Sequence, residues 1–150
     1  MATTCIPFGV AMLEESVPRV KLPSGKEVTP LDALKFCYNL SETDIEVLML
    51  LMQGEKLDVE SIASKLGLSK ATVNRALNKL VALGFVERER FKRSGAGRPR
   101  YLYYVPDPKR VLDKIAKDFV TCADLFRKNV EVLLSMLSKS VERSSSDESV

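Results

Sequence analysis

The 150-residue sequence contains no histidine and no tryptophan, and it has only three cysteines. The absence of histidine removes the commonest general base, the commonest metal ligand and every catalytic triad that needs an imidazole. Cys5, Cys37 and Cys122 stand far apart, without the C-x-x-C spacing that is typical of zinc sites and thiol-disulfide chemistry. The sequence predicts reduced thiols, no catalytic residue, no metal site and no cofactor, with redox sensing at Cys5 or Cys122 as an alternative.

Long apolar runs are also lacking, because the longest, such as residues 47–52, are far shorter than the roughly 18 residues that a spanning helix needs. Residues 1–7 do not show the basic region and apolar stretch of a secretory signal. With 45% apolar and 29% charged residues, the composition is that of an ordinary globular protein. We expect a single cytoplasmic domain with an appended arm and no membrane contact.

Turn and capping signals divide the first half of the chain into short elements. A hairpin is expected around Pro23-Ser24-Gly25-Lys26, followed by a helix that begins at Thr29-Pro30 and ends near Tyr38. Three further helices are expected in close succession. Their predicted limits are Ser41 to Gly54, Asp58 to Gly67, and Ser69 to about Leu83.

The second half begins with a change of period. Residues 85–93 and 100–105 are rich in β-branched, aromatic and arginine residues and flank a glycine-rich segment, which predicts a two-stranded ribbon with a long tip. A helix is then expected from residue 107 or 108 to about Val141, and the serine-rich residues 142–150 are expected to be disordered.

The long C-terminal helix carries a stripe whose members alternate in steps of three and four, the spacing of a coiled-coil seam. A domain of this size cannot cover so long a stripe, so we expect a homodimer formed through it, with packing back onto the domain as the alternative. Asn129 either fixes the register of the two helices or faces solvent at a frayed seam. The predicted dimerisation residues are Leu112, Ile115, Phe119, Cys122, Phe126, Asn129, Leu133 and Met136.

Charge is distributed unevenly along the chain. Residues 65–100 contain ten basic and two acidic residues, a balance of +8, so the remainder carries −5 and the whole chain +3. A winged helix-turn-helix has this order of elements: a helix, a short helix, a tight turn, a second helix and a basic ribbon. The basic segment coincides with the two of these elements that would touch nucleic acid. The sequence therefore predicts binding to double-stranded DNA.

The helix from Ser69 to about Leu83 is the predicted recognition helix. With Val73 inward, its opposite face is polar, basic and small. Arg75 and Asn78 suit guanine and adenine edges, Thr72 or Ala71 a thymine methyl, and Ser69, Lys70 and Lys79 phosphates. A solvated helix face without a ligand is the alternative. The full predicted DNA-binding set is Ser69, Lys70, Ala71, Thr72, Asn74, Arg75, Asn78, Lys79, Arg90, Lys92, Arg93, Arg98 and Arg100.

The tip of the ribbon, Gly97-Arg98-Pro99-Arg100, resembles the Arg-Gly-Arg-Pro core of an AT-hook, with Ala96 where that core has its first arginine. Two arginines around a proline suit the narrow, electronegative minor groove of A·T-rich DNA. The alternative is a flexible loop that contacts phosphates only.

Four stretches of the sequence resemble winged-helix transcription regulators of archaea and bacteria. They are Leu40-Ser41-Glu42-Thr43-Asp44, the run from Ile62 to Val73, Leu83-Gly84-Phe85-Val86-Glu87-Arg88, and Gly97-Arg98-Pro99-Arg100-Tyr101. The resemblance covers about residues 40–106 and is greatest to the TrmB-like and MarR-like groups, with PadR-like proteins close by. MarR-like proteins add flanking helices for dimerisation, which residues 30–39 and 107–141 would match.

The sequence thus predicts a mainly α-helical protein with a small β-ribbon. We expect an N-terminal arm of residues 1–39, a winged helix-turn-helix domain of residues 40–106, a dimerisation helix of residues 107–141 and a tail of residues 142–150. The expected function is sequence-specific DNA binding in transcription regulation, and a protein-interaction module of the transcription or replication machinery is the alternative. No residue cluster indicates a small-molecule effector.

Overall fold

The computed structural model describes residues 18–91 and 100–148. It contains two short antiparallel pairs of strands and six helices in that part of the chain. The elements are β1 (Val20–Lys21), β2 (Glu27–Val28), α1 (Pro30–Tyr38), α2 (Glu42–Leu51), α3 (Val59–Leu66), α4 (Lys70–Ala82), β3 (Glu87–Phe91), β4 (Arg100–Tyr104), α5 (Pro108–Lys128) and α6 (Val130–Glu148). This order confirms the predicted fold class, a winged helix-turn-helix followed by long C-terminal helices.

The helix limits follow the caps that the sequence indicates. Ser41 accepts a hydrogen bond from the Asp44 backbone at the start of α2, Asp58 from Ser61 at the start of α3, and Ser69 from Thr72 at the start of α4. Gly67 ends α3 with φ 66°, a left-handed conformation in which a side chain would be strained. The tight turn between α3 and α4 therefore depends on this glycine.

The core lies where α2, α3 and α4 meet the base of the ribbon. Helix α2 is buried on several sides, as expected from a helix that is apolar nearly all round. α4 buries one stripe and exposes the opposite face. The largest fully buried side chains are Phe85, Ile45, Leu51, Ile62, Leu77, Leu80, Val47, Val73 and Val86.

The ribbon pairs β3 with β4 in a register that places Glu87 opposite Tyr104 and Phe91 opposite Arg100. A further pairing that the sequence did not predict joins β4 to the segment before α3. Leu57 and Tyr103 exchange backbone hydrogen bonds of 3.0 and 2.8 Å, so β4 is bonded on both of its edges. This bridge fixes the base of the ribbon to the helical core.

The C-terminal half differs from the prediction in two respects. One helix was expected from residue 108 to 141, but α5 ends at Lys128 and α6 begins at Val130. The Asn129 side chain donates to the Leu125 carbonyl at 2.6 Å. An asparagine side chain can compete in this way with the backbone hydrogen bonds that continue a helix. α6 also continues to Glu148, where disorder was expected from residue 142, and no glycine or proline interrupts the sequence of this helix.

The chain divides into two units, the first reaching Leu112 and the second beginning at Asp113. The described helices include none that is long and apolar enough to cross a membrane. Cys37 and Cys122 are disulfide-bonded, so the expectation of reduced thiols is wrong for these two residues. Cys5 lies outside the described residues.

Asp44 is the buried charged residue of the described core, and its side chain is only 5% exposed. It accepts from the Ser41 backbone at 2.9 Å and from Lys79 Nζ, also at 2.9 Å. Burial works to raise the pKa of the Asp44 carboxyl, but the hydrogen bonds from Ser41 and Lys79 outweigh it and hold the pKa below its usual value. The carboxylate therefore stabilises the fold in its ionised form.

We expect Asp44→Asn to lower the free energy of unfolding by about 1–2 kcal/mol at neutral pH, because the shape is kept while the ion pair with the half-exposed Lys79 is lost. A carboxyl whose pKa is lowered by folding stabilises the folded protein at pH values above its pKa in the unfolded chain, about 3.9. This stabilisation is lost as the pH falls through its pKa in the folded protein. Denaturant unfolding between pH 7 and 3 should therefore show the two proteins converging below about pH 4.

Glu42→Gln, in the exposed first turn of the same helix, is the control and should change the free energy of unfolding by less than about 0.5 kcal/mol. Equal losses in the two variants would contradict the role given to Asp44.

Candidate nucleic-acid interface

The outward face of α4 is built from the residues opposite its buried stripe. Ala71, Asn74, Arg75 and Asn78 are exposed and Thr72 is partly exposed, whereas Val73, Ala76, Leu77 and Leu80 are buried. The face is therefore mostly polar and open to solvent.

Polar side chains at the start of α4 form a connected row. The Ser69 hydroxyl donates to Thr72 Oγ1 at 2.8 Å, and Arg75 Nη2 donates to the same oxygen at 3.4 Å. Spacing of three residues places these side chains above one another on the helix surface. The row directs the Arg75 guanidinium along the exposed face.

Arg75 differs from the other cations of the helix-turn-helix, Lys65, Lys70 and Lys79, because it forms no ion pair within the described part of the chain. Its charge is not neutralised by a neighbouring carboxylate. A planar guanidinium in this setting can donate two parallel hydrogen bonds to a guanine edge or a phosphate.

Lys79, predicted as a phosphate contact, has a different environment. Its ammonium is held by the buried Asp44 carboxylate at the start of α2. Lys79 thus links two helices of the core, although about half of its side chain is exposed.

A charged cleft of about 270 Å³ lies between the start of α3, the start of α4 and the strand β4. Lys70 Nζ is 3.1 Å from Glu60 Oε1, and Arg100 lies 3.8 Å from Asp58 and 4.0 Å from Glu60. Hydrogen bonds from Ser61 hold the pKa of the Asp58 carboxyl below its usual value. Two cations predicted to bind DNA therefore face two carboxylates in the free protein.

The strands of the ribbon carry two further exposed arginines. Arg88 lies over the Tyr101 ring with its guanidinium carbon 4.7 Å from the centroid, a cation–π geometry. Arg90 is exposed and stands opposite Tyr101 in the register. Both side chains belong to the same face of the ribbon, since they alternate with Glu87 and Glu89. Lys92, Arg93 and the part of the AT-hook-like tip before Arg100, including Arg98, lie outside the described residues.

The C-terminal helices form a second surface. Leu112, Leu133 and Met136 of the predicted dimerisation set are more than half exposed, as is Phe126, whereas Ile115, Phe119 and Cys122 are partly buried. Asn129 is exposed and bonded within its own chain. Apolar side chains that the set did not include are also exposed on α6: Val130, Val132, Leu134, Leu137 and Val141.

Sequence reasoning missed the partners of the basic residues. The sequence identifies Asp58 as a helix cap and Glu60 only as part of a helix. Glu60 lies in the first turn of a helix that a tight turn connects to the next one, and such a position places an acidic side chain near that next helix. Arg88 and Tyr101 were also missed as a pair. The alternation of arginine and tyrosine on the two strands was the available signal.

These features, a basic ribbon beside an exposed helix of a helix-turn-helix, define a winged-helix protein. Residues 34–109 match the family described as sugar-specific transcriptional regulator TrmB. Because the match spans more than half of the chain, this protein belongs to that family.

Solved structures with a TM-score above 0.5 share this fold. A possible transcriptional regulator from Methanosarcina mazei Go1 is similar with a TM-score of 0.64 and 22% identity, over 76% of this chain and 95% of that one. The ST1889 protein from the thermoacidophilic archaeon Sulfolobus tokodaii is similar with a TM-score of 0.55 and 30% identity, over 64% of this chain and 89% of that one. A further solved structure, MarR, has a TM-score of 0.44 and 23% identity, over 76% of this chain and 82% of that one. No curated protein matches the sequence.

Proposed function

We propose that this protein regulates transcription as a homodimer that binds specific sequences of double-stranded DNA. The observation that carries the proposal is the outward face of α4, where Asn74, Arg75 and Asn78 are exposed and Arg75 has no carboxylate partner in the described chain. The major groove of B-DNA, about 12 Å wide, admits one helix with such a face.

Base contacts in this proposal come from the middle of α4. Arg75 donates to guanine O6 and N7, Asn78 and Asn74 meet adenine edges, and Thr72 or Ala71 contacts a thymine methyl. Phosphate contacts come from Ser69 and Lys70 at the start of α4, and from Arg90, Lys92, Arg93, Arg98 and Arg100 of the wing, on the backbone or the adjacent minor groove. Lys79 is a further phosphate contact in this proposal, because about half of its side chain is exposed while Asp44 accepts from its ammonium.

The homodimer is supported by the composition of α6. Its apolar side chains Val130, Leu133 and Leu137 are each about half exposed, whereas Glu131, Ser135 and Ser138 occupy the opposite side of the helix. Burying large apolar side chains is favourable by about 1.5–3 kcal/mol each, so a surface of this kind associates in water. A second copy offers the same stripe and heptad spacing, and a two-fold dimer presents two copies of α4 to a palindrome-like operator.

Selection of bound sequences from a random duplex pool tests DNA binding and operator symmetry together. If a dimer neutralises about 6–10 phosphates, the logarithm of the affinity should fall with the logarithm of the salt concentration with a slope of several units. Undetectable or salt-independent binding would refute the proposal.

We expect Arg75→Ala to reduce the ratio of specific to non-specific affinity by about 1–3 kcal/mol, because a bidentate base contact is lost. The measurement is titration of the selected operator and of a scrambled duplex by fluorescence anisotropy.

Arg90→Ala is the matched control, since Arg90 is also exposed and also without an ion pair in the described chain, but lies on the wing. It should weaken binding to both duplexes about equally. Parallel losses in the two variants would show that Arg75 does not contribute base readout.

We expect Leu133→Glu to convert the dimer to a monomer, because it places a charge in the apolar stripe of α6. Sedimentation velocity across a range of protein concentrations measures the change.

Ser135→Glu introduces the same charge two residues further on, about 200° around the helix, and should leave the dimer intact. If the wild-type protein sediments as a monomer, or if Leu133→Glu remains a dimer, this part of the proposal is wrong.

A further inference from the structure

Glu60 occupies an unusual position relative to the two elements proposed to bind DNA. Its Oε1 atom is 3.1 Å from Nζ of Lys70, the first residue of α4, and its Oε2 atom is 4.0 Å from Nη2 of Arg100, the first residue of β4. One carboxylate thus meets one cation from the recognition helix and one from the wing, each with a different oxygen.

Glu60 lies in the first turn of α3, where its charge is favourable, but it is not the residue that caps the helix. Asp58, not Glu60, caps α3, by accepting from the Ser61 backbone at 2.8 Å. The Glu60, Lys70 and Arg100 side chains are 56%, 65% and 41% exposed, so solvent or another anion can reach the ion pairs. Exposed pairs of this kind are weak and exchange partners readily.

We propose that Glu60 competes with DNA for Lys70 and Arg100 and so limits the affinity of the protein for any duplex. This inference rests on the proposed function. When a phosphate takes the place of the carboxylate, Glu60 becomes an unpaired anion beside the DNA and must recruit a cation from solution. That uptake offsets part of the counterion release that drives binding.

The consequence is a smaller salt dependence than the basic residues alone would give. Each phosphate contact contributes a slope of about −0.9, so one uncompensated carboxylate per protomer reduces the slope by about one unit. Glu60 therefore acts on affinity through the two cations, and its effect depends on charge rather than on shape.

The test compares Glu60→Gln, Glu60→Asp and Glu27→Gln with the wild-type protein on a scrambled duplex over a range of salt concentrations. The Glu60→Gln dimer should bind the duplex about tenfold more tightly than the wild-type dimer at physiological salt. The dependence of its affinity on salt concentration should be steeper by about one unit of logarithmic slope per protomer. Glu60→Asp keeps the charge and should keep the wild-type slope.

Glu27→Gln is the matched control, because Glu27 on β2 is also exposed and also pairs with an arginine, Arg19, at 3.7 Å. It changes the net charge by the same amount and should leave affinity and slope unchanged.

An unchanged or weakened affinity of Glu60→Gln, or an equal gain in Glu27→Gln, would overturn the inference while leaving the proposed function intact. A wild-type protein that does not bind duplex at any salt concentration would instead refute the proposed function, and the inference with it.

Discussion

The hydrogen-bonded carboxylate of Asp44 is the constraint on which the rest of the winged-helix unit depends. It closes the first turn of α2 through Ser41 and holds the ammonium of Lys79 on α4, so one buried anion joins the start of a core helix to the recognition helix. Apolar packing between α2 and α4 fixes their separation but is not directional. The charge-assisted hydrogen bond adds direction, because Lys79 must face the start of α2 to reach Asp44. It thus reinforces the rotation of α4 that the buried stripe Val73, Ala76, Leu77 and Leu80 sets.

Ion pairing changes how the charge of the chain is understood. The basic balance of residues 65–100 is a property of a segment, whereas a ligand meets a surface on which Lys65 faces Glu55, Lys70 faces Glu60 and Arg100 faces Asp58. These acids come from earlier in the chain and were counted in the acidic remainder. In the fold, these acidic residues therefore neutralise part of the basic surface. Arg75, Arg88 and Arg90 are the described cations of this segment that no carboxylate neutralises.

The elements with strong local signals were predictable from the sequence. The caps at Thr29, Ser41, Asp58 and Ser69 and the left-handed glycine at Gly67 all depend on residues within one turn of each other, and the structure places each where the sequence indicates. The outward face of α4 was predictable for the same reason, since helical periodicity determines it. Contacts between residues far apart in sequence were not: neither the Leu57–Tyr103 bridge nor the Lys79–Asp44 pair leaves a periodic trace. The break at Asn129 was missed because a polar residue in a heptad position also suits a continuous helix.

The bridge between Leu57 and Tyr103 also determines which strand of the wing is left at the edge. Because β4 is bonded on both sides, β3 has one row of backbone groups that no other strand among residues 18–91 and 100–148 pairs with. An edge of this kind can recruit strands from other molecules. The sequence of β3, Glu-Arg-Glu-Arg-Phe, places a charge at four successive positions along that edge. A second β3 approaching in register would bring like charges together or strip water from them. The alternating charges that suit the wing to a polyanion thus also protect the protein against edge-to-edge aggregation.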